Sequence, residues 1–172
     1  MTSLPYPSAR RGSVVDDYHG NKVADPYRWL EDPHSEETQR FVELQNKLTD
    51  SFLRDQLFEE TLQSLKERMN YERYSVPRTY NTRRFFLKND GLQGQSVLYV
   101  EEDEGEARPL LDPNTWSDDG TVALMMYSCS PDGNYLAYGL STHGSDWEEV
   151  RIRSVVTGED LNDVLSWCRF PG

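Results

Sequence analysis

Two kinds of hydrophobic spacing divide the chain near residue 70. In the first part, Phe41, Leu44, Leu48 and Phe52 recur three or four residues apart, with polar residues mostly between them. This is the spacing of one apolar helix face. Phe58, Leu62, Leu65 and Met69 repeat the pattern, and Lys66 and Arg68 suit the negative pole at a helix end. The first helix is expected to start in Asp32-Pro33-His34-Ser35-Glu36-Glu37, where Ser35 can cap and two carboxylates meet the positive pole. Two helices this short bury little except each other, so their stripes are expected to dock on a larger body.

From Tyr71 the period changes to short apolar runs rich in aromatic and β-branched residues, broken by Gly, Asn, Asp and Pro. They are Arg84–Leu87, Val97–Val100, Pro109–Leu111, Val122–Tyr127, Tyr135–Leu140 and Val150–Val156. No helical segment separates them, so antiparallel neighbours are expected. Val150 to Val155 alternates apolar and polar residues, which predicts a strand with one wet face. In Ser130-Pro131-Asp132-Gly133, Asp-Gly is expected to supply the positive backbone angles of a tight hairpin. The strand half also repeats itself at an offset of about fifty residues, within the range of four-stranded propeller blades. Two such units do not close a ring, so the chain reads as a partial propeller, and as incomplete.

Composition narrows the function classes. Four Trp and ten Tyr in 172 residues argue against a disordered chain. A net charge of −12 repels phosphates, so no nucleic-acid partner is expected. The pairs Arg10-Arg11 and Arg83-Arg84 read as solvated surface. No apolar run is long enough to cross a bilayer, and the start lacks the apolar stretch of a secretory signal. Cys129 and Cys168 are too few for a disulfide framework or a zinc site and read as small core residues in a reducing compartment. These features predict a cytoplasmic protein with no membrane partner.

Several motifs occur in a fixed order. They are Asp16-Asp17-Tyr18-His19-Gly20, Asp25-Pro26-Tyr27-Arg28-Trp29-Leu30-Glu31-Asp32, Gly91-Leu92-Gln93-Gly94-Gln95, Leu110-Leu111-Asp112-Pro113-Asn114 and Ser117-Asp118-Asp119-Gly120-Thr121. This order resembles the amino-terminal region of the prolyl oligopeptidase family of serine peptidases over nearly the whole chain. Gly94 stands where the family more often has Asn, and Glu72 where it often has Pro.

The resemblance implies an α+β fold. Residues 1–70 would form an amino-terminal helical segment that packs on an α/β-hydrolase peptidase domain. Residues 71–172 would form the first two blades or so of a seven-bladed β-propeller that gates access. It also implies cleavage of short proline-containing peptides, with no cofactor. The missing peptidase domain becomes the expected partner of the helical stripes.

Catalysis of this kind needs a Ser on a Gly-x-Ser-x-Gly elbow, followed in order by Asp and His. No such elbow occurs in the sequence, so the chain is expected to be inactive alone, with no catalytic residue assigned. His19, His34 and His143 read as structural, and they lack metal-ligand spacing, so no metal is expected. Asp146 reads as a surface or ion-paired residue. Asp163-Val164-Leu165 followed by Phe170 is similar to a family segment whose Phe lines a substrate subsite, so Phe170 is the one substrate-binding candidate. Packing between blades is its alternative role. Two other functions stay open: a non-enzymatic binding module, and a truncated isoform associated with the full-length enzyme.

Overall fold

A computed structural model describes residues 5–103 and 105–169. The chain divides into two compact units, Met1–Leu65 and Lys66–Gly172.

The first unit opens with a hairpin that the helical reading of this region did not include. Strands β1 (Val15–Tyr18) and β2 (Asn21–Ala24) pair antiparallel, Asp16 opposite Val23. Their two-residue turn has φ +57° at His19 and +91° at Gly20. That left-handed pair matches the twist of adjoining strands. Asp17 Oδ1 accepts from the Gly20 amide at 2.6 Å. The segment is short and polar, so alternation gives little sign of it.

A 3-10 turn at Arg28–Glu31 leads into helix α1 (Glu36–Leu53). Ser35 caps α1 as expected, accepting from the Thr38 amide at 3.3 Å. Helix α2 (Gln56–Met69) follows, with Asp55 Oδ1 accepting from the Phe58 amide at 2.9 Å. Both predicted helices are therefore present, and each N-terminal amide set finds a side-chain acceptor.

The second unit holds two antiparallel sheets. In the first, β5 (Arg83–Asn89), β6 (Val97–Glu102) and β7 (Arg108–Leu111) form a meander. Two short strands, β3 (Arg73–Tyr74) and β4 (Arg78–Tyr80), both pair with β5. Ser75 joins the same partner between them, its amide donating to Leu87 O at 2.9 Å. The second sheet runs β11-β10-β9-β8, from β8 (Val122–Cys129), β9 (Tyr135–Thr142), β10 (Trp147–Ser154) and β11 (Asp160–Arg169). The corresponding strands β5 and β9, and β6 and β10, stand about fifty residues apart, as the repeat predicts.

Phe85, Leu98, Val100 and Leu111 of the first sheet pack with Cys129, Leu136 and Tyr138 of the second, and with Val155 in the turn after β10, in one buried cluster. Arginines tie the sheets together. Arg83 Nη1 donates to Gly133 O at 3.0 Å and Asn134 Oδ1 at 2.6 Å, and Arg153 Nη1 donates to Leu110 O at 2.7 Å.

Four expectations change. Arg83 is not solvated surface: its side chain is only 15% exposed, because it spans the sheets. The alternation of Val150–Val155 does not yield one wet face. Arg151 and Arg153 are half-buried like Val150 and Ile152, because β10 is an inner strand and Arg153 reaches the facing sheet. Ser130–Gly133 is a single β-turn in which only Gly133 has positive φ, +70°. Pro131 and Asp132 supply the ordinary turn angles, and Asp132 Oδ1 takes the Ser130 hydroxyl and the Asn134 amide. Cys129 is core, whereas Cys168 lies on edge strand β11 and is partly exposed.

Candidate functional site

The amino-terminal motifs converge on Arg28. Its guanidinium donates to Asp25 Oδ2 at 2.6 Å and also to Asp16 Oδ2, so one cation clamps the hairpin to the turn before α1. These bonds, Asp25 first, raise the Arg28 pKa and lower that of Asp25. Trp29 meets Phe41 edge-on at 5.7 Å between ring centres, and its Nε1 donates to Arg10 O at 2.9 Å. Buried Thr38 donates to Trp29 O at 2.9 Å. The spacing Asp25-x-x-Arg28-Trp29 thus encodes a structural clamp: a salt-bridged arginine beside an anchored indole.

Beyond the clamp, the helices present an apolar face. Phe52, Leu53, Leu57, Phe58, Leu62 and Leu65 line a cavity of about 610 Å³ within the first unit. Phe52 is 67% exposed and Leu57 68%, large apolar side chains left wet at a helix junction. Contiguous apolar faces of this kind are uncommon on the surface of a soluble monomer.

At the other end of the chain, β10 and β11 carry the segment toward position 170. Trp147 and Trp167 meet edge-on at 5.8 Å. Arg169 lies over Trp147 and donates to Asp146 Oδ2 at 3.0 Å, so Asp146 is ion-paired as the sequence suggests. Trp167 has φ +61° where β11 slips register against β10, between the pairs Glu148–Cys168 and Val150–Leu165. Such a bulge twists a strand and re-aims its side chains. Phe170 itself lies outside the described residues. The tryptophan pair escaped the sequence reading because its partners are twenty residues apart; the strand pairing that joins them is the missing signal.

The histidines fall on separate turns. His19 sits between β1 and β2, and His143 between β9 and β10 with Nε2 3.7 Å from Asp119 Oδ2. The His34 amide donates to Asp32 Oδ1 at 3.0 Å. Among the described residues, no hydrogen bond joins a histidine ring to a serine hydroxyl. No group of three or more His, Cys, Asp or Glu side chains among them is placed to hold a metal ion.

The family described as prolyl oligopeptidase, N-terminal beta-propeller domain, matches residues 6–172. The chain belongs to the prolyl oligopeptidase family. A prolyl endopeptidase of Elizabethkingia miricola is 39% identical over 99% of the chain, and one of Dictyostelium discoideum 32% over 96%. These alignments cover 24% and 28% of those proteins, so the chain spans about a quarter of the length of the curated relatives it matches. A solved prolyl endopeptidase superposes with a TM-score of 0.75 at 35% identity, covering 94% of this chain and 24% of that one. Prolyl oligopeptidase B from Galerina marginata, solved with a 35mer hydrolysis and macrocyclization substrate, gives 0.71 at 29%, covering 98% and 28%. The part shared with these prolyl oligopeptidases is their amino-terminal, propeller-bearing region.

Proposed function

We propose that this chain is the amino-terminal portion of a serine peptidase that cleaves short peptides after proline. Residues 1–70 dock on an α/β-hydrolase peptidase body, and residues 71–172 supply the first blades of a propeller that gates the substrate. The observation that carries this reading is the wet apolar face from Phe52 to Leu65, in a chain matched along its length to peptidases about four times longer. Burying a large apolar side chain contributes about 1.5–3 kcal/mol, so a face of this size favours a permanent partner. Phe170, following β11, is the proposed substrate-lining residue of the propeller. Free Cys129 and Cys168 fit a reducing, cytoplasmic setting. No helix among the described residues is long and apolar enough to cross a membrane.

The test is complementation. Produced alone, the chain should not hydrolyse a short chromogenic proline peptide above background. Co-produced with the remainder of a related prolyl endopeptidase, it should restore turnover, and Phe52→Ser with Leu57→Ser should abolish that rescue. Turnover by the purified chain alone would refute the reading, as would rescue indifferent to those two substitutions.

A further inference from the structure

Edge strands β4 and β8 flank a cavity of about 540 Å³ whose lining includes Arg78, Leu87, Ser96, Leu124, Met126 and Tyr127. That volume is within the range of small-ligand sites, roughly 300–1,000 Å³. Arg78 is exposed, and its guanidinium lies over the Tyr127 ring at 5.9 Å. Among the described residues it has no carboxylate partner and no hydrogen bond, and no acidic side chain lines the cavity. Other arginines of these sheets, such as Arg83, Arg84, Arg151 and Arg153, each hold a carboxylate. An arginine left without an acid on a chain of net charge −12 is open to an incoming anion.

The rest of the cavity suits a peptide end. The Ser96 hydroxyl makes no hydrogen bond among the described residues and is a free donor. The Gln95 side-chain amine is occupied by Val122 O at 2.7 Å, which leaves its carbonyl to accept a peptide N–H. Leu87, Leu124 and Met126 are half-buried and offer apolar contact. A second cavity of about 450 Å³ shares Leu87 and Ser96 and is also lined by Arg73, whose Nη2 donates to Asn89 Oδ1 and Gly91 O while its Nε is buried without an acceptor.

We propose that this groove binds the carboxyl terminus of a short peptide ending in an apolar residue, with Arg78 holding the carboxylate and Tyr127 steadying the guanidinium. The proposal does not require peptidase activity, and its test reads binding only, so it can fail while the peptidase reading stands. The full chain, labelled at its methionine methyl groups, is titrated with acetyl-Leu-Leu as the free acid and as the carboxamide. The acid should shift Met125 and Met126 saturably and leave Met69 unmoved, with the carboxamide about tenfold weaker or worse. Arg78→Gln should erase the difference between acid and amide, and Arg78→Lys should keep part of it. Equal binding of acid and amide, or acid binding untouched by Arg78→Gln, would overturn the assignment. So would the absence of saturable shifts from a folded sample, or decanoate binding as tightly as the peptide.

Discussion

Gly139 in β9 and Glu148 in β10 set up a measurable conflict. The backbone at Gly139 is not in the left-handed region, so space alone excludes a side chain. An added methyl would lie 2.3 Å from Glu148 Oε2 and 2.9 Å from Met126 Cγ. Glu148 is only 7% exposed and its Oε2 has no hydrogen-bond partner, so the carboxyl group is already in a costly place. Gly139→Ala must push it or Met126 aside, and overpacking of this kind costs about 1–3 kcal/mol. Glu148→Ala alone should change stability by less than about 1 kcal/mol, because the packing lost offsets the removal of an unsatisfied buried oxygen. In the double variant the new methyl enters the space the carboxyl vacates. It should then be more stable than the sum of the single changes by about 1 kcal/mol or more, the residue at 2.9 Å being a flexible methionine. Urea unfolding of all four proteins, followed by the fluorescence of neighbouring Trp147, gives the cycle. Additivity within about 0.5 kcal/mol would refute the steric reasoning.

Three further outcomes follow from named contacts. Asp132 is held down to about 2 by hydrogen bonds from the Ser130 hydroxyl and from Asn134. A depressed carboxyl group stabilises the fold above its ordinary pKa near 3.8 and loses that contribution as pH falls toward 2. The stability difference between the parent chain and Asp132→Ala should therefore narrow across that window in acid titrations of unfolding, and a constant difference would contradict it. Burial pushes the Cys129 thiol up to about 12, so iodoacetamide at pH 8 should modify Cys168 first, with Cys129 reacting only on unfolding; mass mapping reads the order. Arg83→Leu removes the bonds to Gly133, Asn134 and Glu102 and should lower stability by about 2–4 kcal/mol in urea titrations, with Arg83→Lys recovering less than half.

Periodicity locates both helices, because Phe41 to Phe52 and Phe58 to Met69 follow a 3.6-residue stripe, and the capping residue Ser35 marks the start of the first. The paired sheets were legible for the same reason: strands β5, β6, β8 and β9 hold the apolar residues that the core needs. What escaped depends on partners distant in sequence. Strands β3 and β4 are two and three residues long and exist by pairing with β5, and the β1–β2 hairpin is held by Asp17 and Arg28 rather than by apolar alternation. Strand β11 mixes polar and apolar residues without strict alternation; nine of its ten residues are exposed, and it is a strand through its ladder with β10. The cavity at Arg78 is invisible along the chain, since its walls come from β4, β8 and the segment before β6.

The sheet order carries a consequence for how the molecule is made. Strands β5 to β7 and β8 to β11 each pair with the strand just before or after them. Their ladders close over short loops, the situation in which topology slows folding least. A nascent polypeptide leaving the ribosome at about 5–20 residues per second can zip each sheet in turn as its last strand emerges. The arginine bonds that cross between sheets, Arg83 to Gly133 and Arg153 to Leu110, can form only once strands of both sheets have been made. Synthesis itself can thereby order the assembly.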